Sequence, residues 1–238
     1  MADTVSAPPV SPFSIATWSS ENALRLILLG AFVARLISLR TVDGQIWPDE
    51  IYQTIEPAQH AAFGVGILPW EWDTGIRSWL VPWFYAAIFR FVDLFGTPGP
   101  GDLVRVAQLI NVGLSLLVVH AAWTIANSIA GRRAAILAAL FAAFALPTLF
   151  FAPRTLSDST AASLLLWGYA RFVVAEDPGG ASPLPRAHLF VGAIFGLTYL
   201  FRFSSLVFFV GPGLALISRG RLRELGAINF SSDAVIRQ

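Results

Sequence analysis

Residues 23–39 read ALRLILLGAFVARLISL, and a few positions on stand Trp47-Pro48-Asp49-Glu50. This juxtaposition of an apolar run and a carboxylate pair decides the fold class. The run is apolar, lacks a small-residue cleavage site and is therefore expected to remain as a membrane anchor. The carboxylate pair beyond it stands out because acids are scarce. Only 15 of 238 residues are Asp or Glu, and six of these fall between Asp43 and Asp73. An acidic loop between hydrophobic helices points to a water-facing site at the membrane surface, for acid/base chemistry or cation binding.

Composition agrees with a multi-pass membrane protein. Hydrophobic residues make up 55% of the chain, charged residues 13%, and mean hydropathy is +0.65. An ordinary soluble domain carries about 25% charge. The net charge of +1 argues against a nucleic-acid partner. With no cysteine, disulfides, thiolate catalysis and thiolate-bound metals are excluded. His60, His120 and His188 are too scattered for a histidine metal site, and His120, mid-span, reads as hydrogen-bonded packing. All 16 basic residues are Arg, a bias that fits a GC-rich bacterial genome and hence a bacterial plasma membrane.

Residues 1–20 read as a disordered tail, being rich in Pro, Ser and Ala without a basic residue. Residues 21–218 form an all-α transmembrane module, and 219–238 a cytoplasmic tail or the end of a truncation. Within the module, 41–103 is a long outer loop. Its stretch 79–96 is apolar but carries Arg90 and Asp93, and it is expected to lie at the interface. Residues 104–130, 133–152 and 158–175 are further spans near the roughly 20 residues that cross a bilayer. Residues 187–218 are too long for one helix and are expected to fold as two short helices broken at Phe201-Arg202-Phe203-Ser204-Ser205. If 79–96 does not cross, six Arg at 132, 133, 186, 219, 221 and 223 share one side. The positive-inside rule makes that side cytoplasmic and puts the acidic loop outside.

Four places could carry chemistry. Asp49 and Glu50 are either solvated loop acids or a general base and its neighbour; Pro48 stiffens their backbone, and Trp47 and Tyr52 flank them. Trp70-Glu71-Trp72, with Arg77 and Trp79, is either an aromatic belt or a pocket in which rings stack on a sugar and Arg77 forks onto phosphate. Arg154 begins the stretch Arg154-Thr155-Leu156-Ser157-Asp158, where Ser157 or Asp158 is expected to cap the next helix. Arg202 interrupts an apolar run of 32 residues, which is expensive unless the charge is paired or wet.

Trp47-Pro48-Asp49-Glu50, then Gln53, Glu56, Phe63 and Gly66, then Trp70-Glu71-Trp72 and Arg77-Ser78, resemble the first lumenal loop of the family 22 glycosyltransferases. These are polytopic mannosyltransferases of the GT-C superfamily. Arg154-Thr155-Leu156-Ser157 and Phe201-Arg202-Phe203-Ser204 are similar to two later stretches of the family, so the likeness spans about 47–213. It implies an inverting transferase that takes mannose from a polyprenyl-phosphate donor to a glycan or glycolipid acceptor at the outer face. It implies Asp49 as the catalytic carboxylate with Glu50 beside it; with that reading, residue chemistry makes Trp70, Glu71, Trp72, Arg77, Arg154 and Arg202 the substrate-binding candidates. No cofactor is implied with certainty; an adjacent carboxylate pair could hold a divalent cation. Trp47 stands where the family usually has His, and the chain is roughly half the family's length. Two other readings remain: a non-catalytic fragment or subunit of such an enzyme, and a membrane transporter. No internal repeat supports the transporter.

Overall fold

The computed structural model describes residues 20–41, 47–176 and 185–220. Most of the expected terminal tails (1–19 and 221–238), with Asp43, Arg221 and Arg223, lies outside the described residues, as does 177–184. The described residues contain helices and no strand.

In chain order the helices are α1 (Ser20–Thr41), α2 (Pro48–Glu50), α3 (Glu56–Phe63), α4 (Trp70–Asp73), α5 (Leu80–Asp93), α6 (Pro100–Phe144), α7 (Leu146–Phe151), α8 (Ser157–Ala175), α9 (Pro185–Phe201) and α10 (Val210–Ser218). A π turn, Ile51–Ile55, joins α2 to α3. Pro57 follows it and cannot donate to the carbonyl four residues back, so the ladder widens there.

Among the described residues two helices, α1 and α6, are long and apolar enough to cross a membrane. The 45-residue α6 is two arms. At Gly131 the backbone takes φ 75° and ψ −174°, a conformation that favours glycine and is not helical. Val119 and Trp123 on the first arm pack with Ala135, Ala139 and Ala143 on the second. These partners are symmetric about the break, as in an antiparallel hairpin. Ile27 and Ala31 of α1 complete the same core. The second break falls at Arg202, whose extended backbone separates α9 from a 3₁₀ turn, Phe203–Phe209, and α10. Phe195 of α9 stacks on Phe209 at 4.8 Å, and Leu216 of α10 joins the same cluster, so α10 folds back along α9. A Cβ at Gly168 of α8 would lie 2.6 Å from Phe195, so glycine there lets α8 and α9 approach closely.

Helix α5 has 14 residues, about 21 Å of length. That is short of the roughly 30 Å hydrocarbon core. Its Val81, Tyr85 and Phe89 pack against α3 and against Leu103 and Ala107 in the first turns of α6.

Large apolar side chains cover the outside, and several polar ones are buried. Leu29, Ile37, Leu137, Phe141 and Leu214 face outward, while Arg35, Asn111, Ser115 and Thr160 are buried. A hydrocarbon solvent favours that arrangement. His120 is half-buried, and among the described residues its Nδ1 has no hydrogen-bond partner, so the hydrogen bond expected there is not made at that nitrogen.

Arg35 holds the bundle together beneath the end of α1. The chain leaves the helix at Ala145, and Pro147 has no N–H, so the carbonyls of Ala142 and Ala143 lose their helical partners. Arg35 donates to both, from Nη2 at 3.2 Å and Nη1 at 3.1 Å. Its Nε donates to Ser115 Oγ at 2.9 Å. One guanidinium thus ties α1 to both arms of α6.

Candidate active site

The segment Trp47–Glu50 turns inward over the end of the bundle where α1 finishes and α6 and α8 begin. Glu50 N bonds Trp47 O at 3.0 Å, closing the turn, and the Glu50 carboxylate returns to accept from Trp47 N at 3.3 Å. Successive residues on a helical turn point about 100° apart. This separates the two carboxylates.

Asp49 is exposed and lines a cavity of about 730 Å³. The cavity runs between α1, the first arm of α6, α7 and the start of α8. Its wall combines apolar residues such as Leu114, Val118 and Phe151 with Asn111, Ser115, Thr160 and Ser163. Asp158 lines it too and is ion-paired with Arg202. Arg77 and Asp49 lie within electrostatic reach of Asp158.

Glu50 is fully buried and does not line the cavity. Its carboxylate pairs with Arg154 Nη1 at 3.5 Å and accepts from Thr155 N at 3.1 Å and Thr155 Oγ1 at 3.3 Å. Arg154 is also fully buried, and its guanidinium lies over the Phe150 ring at 4.8 Å. Arg154 therefore meets Glu50 inside the protein and does not reach the cavity wall.

Arg202 is 29% exposed and donates to Ser157 Oγ at 3.4 Å. Arg77 donates to Glu71 at 2.7 Å, with both side chains partly exposed. Trp72 is buried, gives its indole N–H to Tyr52 O at 3.2 Å and packs on Trp79 at 4.8 Å. Trp70 is exposed and does not line this cavity. The acidic turn and the two later arginine stretches thus meet at one end of the bundle, whereas Trp70 and Trp72 stand apart from the cavity. The capping expectation fails: Leu156 is the N-cap of α8 and has no side-chain cap, because Ser157 and Asp158 are engaged by Arg202.

Sequence reading missed Arg35, Tyr85, Asn111 and Thr160. Asn111 Nδ2 donates to Tyr85 Oη at 2.7 Å, and Thr160 Oγ1 donates to Asn111 Oδ1 at 2.8 Å. This buried chain joins α5, α6 and α8 beside the cavity. Burial pushes the Tyr85 phenol up to about 12, with the Asn111 and Thr160 bonds opposing, so it stays protonated. The signal available was polar residues inside spans. Among the described residues no three His, Asp or Glu gather as a metal-ligand set.

No solved structure matches the chain. GPI mannosyltransferase 3 of Yarrowia lipolytica is 32% identical over 150 residues, covering 60% of this chain and 29% of that protein. GPI mannosyltransferase 3 of Candida glabrata is 36% identical over 99 residues, 42% of this chain and 16% of that protein. GPI alpha-1,2-mannosyltransferase 3 of Homo sapiens is 30% identical over 89 residues, 37% of this chain and 16% of that protein. The matches therefore span under a third of each of these relatives. The model of the Alg9-like mannosyltransferase family matches residues 26–235, nearly the whole length, and the chain belongs to that family.

Proposed function

We propose that this chain carries the acceptor-activating part of a multi-pass membrane mannosyltransferase, with Asp49 as the general base. The observation that supports this most is the fate of the carboxylate pair. Asp49 is exposed in the cavity, while Glu50 is buried against Arg154 and Thr155. A base must reach its proton, and of these two only Asp49 faces the space where an acceptor could sit.

In the proposed reaction an acceptor hydroxyl oxygen attacks the anomeric carbon of a polyprenyl-phosphate-linked mannose. Its proton passes to the Asp49 carboxylate. The bond from the anomeric carbon to the phosphate oxygen breaks, the anomeric centre inverts, and a lipid phosphate leaves. Arg202, with Arg77 nearby, stabilises the charge that develops on that phosphate. Asp158 and Glu71 hold these guanidinium groups in place meanwhile. Glu50 and Arg154 act as positioning residues, locking the Asp49 turn to the start of α8.

The cavity end faces away from the cytoplasm in this reading, in a bacterial plasma membrane. Support comes from Arg132, Arg133 and Arg219 at the opposite end of the helices and from an α5 too short to cross. A cysteine in place of Val65 is expected to be labelled from outside, and one in place of Arg132 is not. A second reading, a non-catalytic portion of such an enzyme, is favoured by the short coverage of the relatives.

Both readings are tested by incubating the purified chain with radiolabelled polyprenyl-phosphate-mannose and an acceptor glycolipid. The parent is expected to transfer mannose, and Asp49→Asn to lose about 10²–10⁴ in rate. Unchanged turnover in Asp49→Asn rules out the base; an inactive parent favours the second reading.

A further inference from the structure

A groove of about 390 Å³ lies between the end of α1 and the beginning of α6, lined by Leu36, Leu39, Arg40, Arg105 and Leu109. It shares no residue with the cavity beside Asp49. On α6, Leu109 stands two positions before Asn111 of that cavity, about 200° around the helix. The groove and the cavity therefore occupy opposite flanks of α6.

Helix α1 and the first arm of α6 run antiparallel here. Ile27 and Ala31 pack with Val119 and Trp123, and Arg35 meets Ser115. Leu36 lies one turn before Arg40, and Leu109 one turn after Arg105. Both leucines are thus about 5 Å deeper in the membrane than the arginines. The 22 residues of α1 measure about 33 Å, slightly more than the roughly 30 Å hydrocarbon core. Arg40 is in the last turn, so the two arginines sit at headgroup depth over apolar side chains.

Both arginines are exposed. The arginines around the cavity each carry an acid: Arg77 has Glu71, Arg154 has Glu50 and Arg202 has Asp158. Arg40 and Arg105 make no ion pair and no side-chain hydrogen bond among the described residues. In the orientation proposed above they stand at the outer side, against the positive-inside preference. Two adjacent cations without a protein counter-charge call for an anion from elsewhere.

We propose that this groove binds one anionic phospholipid of the surrounding leaflet, with its phosphodiester between Arg40 and Arg105 and the start of an acyl chain along Leu36 and Leu109. Free phosphate would satisfy the arginines and leave the leucines unused. A zwitterionic lipid would bring a second cation against them. The bound lipid clamps the end of α1, ahead of the Asp49 turn, to the first turns of α6. It is not consumed, and its binding does not depend on the transferase reading.

The test titrates the full chain in detergent micelles with phosphatidylglycerol or phosphatidylcholine and reads bound lipid by native mass spectrometry. The first phosphatidylglycerol is expected to bind more tightly than phosphatidylcholine. Arg40→Gln and Arg105→Gln are each expected to weaken it about fivefold, and the double variant about 25-fold, from the worth of one basic side chain beside an anionic headgroup. Arg25→Gln removes an exposed charge at the other end of α1 and is expected to bind as the parent does. Phosphatidylglycerol should also raise the thermal midpoint of the parent and not that of the double variant. Equal binding of the two lipids, parent-like binding by the double variant, or an equal loss in Arg25→Gln overturns the proposal. Displacement of the lipid by an equal concentration of inorganic phosphate overturns the part given to the leucines. Preference for polyprenyl phosphate over phosphatidylglycerol hands the groove to the donor lipid and overturns the assigned occupant. A chain without transfer activity that keeps the arginine-dependent preference leaves the groove standing and counts against the transferase reading alone.

Discussion

Two acid–arginine pairs meet at the cavity end of the bundle, and they differ in the one property that matters. Glu50 and Arg154 are fully buried; Arg202 is 29% and Asp158 56% exposed. A charge pair sealed in the protein sets geometry, because removing one partner strands the other without water. A pair at a wet rim contributes little to stability and can exchange partners with a ligand. The chain thus puts its costly charges where they fix the Asp49 turn, and its cheap ones where substrate would pass.

The largest effect should come from breaking the sealed pair. Arg154→Leu leaves the Glu50 carboxylate buried without its cation, a loss of about 3–5 kcal/mol of stability. The double change Glu50→Leu with Arg154→Leu should recover part of it in thermal unfolding. A double variant no more stable than Arg154→Leu would mean that Thr155 and Trp47, not the pair, hold the turn.

Next comes Arg35, which belongs with the sealed set. Arg35→Leu strands the Ala142 and Ala143 carbonyls and is expected to cost about 1–3 kcal/mol. Hydrogen exchange should rise first around 142–149, where α7 leaves the bundle. Unchanged exchange there would remove Arg35 from the knot.

The smallest effect on stability is expected at the rim. Arg202→Lys keeps the charge and loses the planar fork. Its unfolding midpoint should stay within about 0–1 kcal/mol of the parent while polyprenyl-phosphate-mannose binding weakens. An Arg202→Lys protein that binds the donor as tightly as the parent would take Arg202 out of the phosphate site.

The contrast also shows what could be read from the sequence. The interruptions were legible, because Gly131 beside Arg132-Arg133 and Arg202 among phenylalanines break apolar runs locally. That residues 47–50, 154–158 and 202 share one side followed from the arginine distribution, and family resemblance grouped them further; their actual contacts could not be read, since no periodicity joins positions over 100 residues apart. Residue chemistry alone could not part Asp49 from Glu50, a distinction that only the family resemblance implied, because it depends on which way a single helical turn faces. Arg35 was passed over as one charge in a span. Its role appears only when Ala142 and Ala143, 107 and 108 residues on, are seen to end a helix ahead of Pro147. The capping expectation at Ser157 and Asp158 failed for the same reason. Local capping preference competes there with a guanidinium arriving from α9.

The central claim is that two neighbouring carboxylates have separate duties, and thermal unfolding of Asp49→Asn and Glu50→Gln in one membrane mimic tests it most directly. Both changes keep shape and remove one charge. Asp49→Asn is expected to melt with the parent, because its carboxylate faces the cavity and no buried charge depends on it. Glu50→Gln is expected to melt well below it, by the equivalent of about 3–5 kcal/mol, because Arg154 loses its counter-charge in a buried setting. Equal losses in the two variants, or a larger loss in Asp49→Asn, would contradict the division.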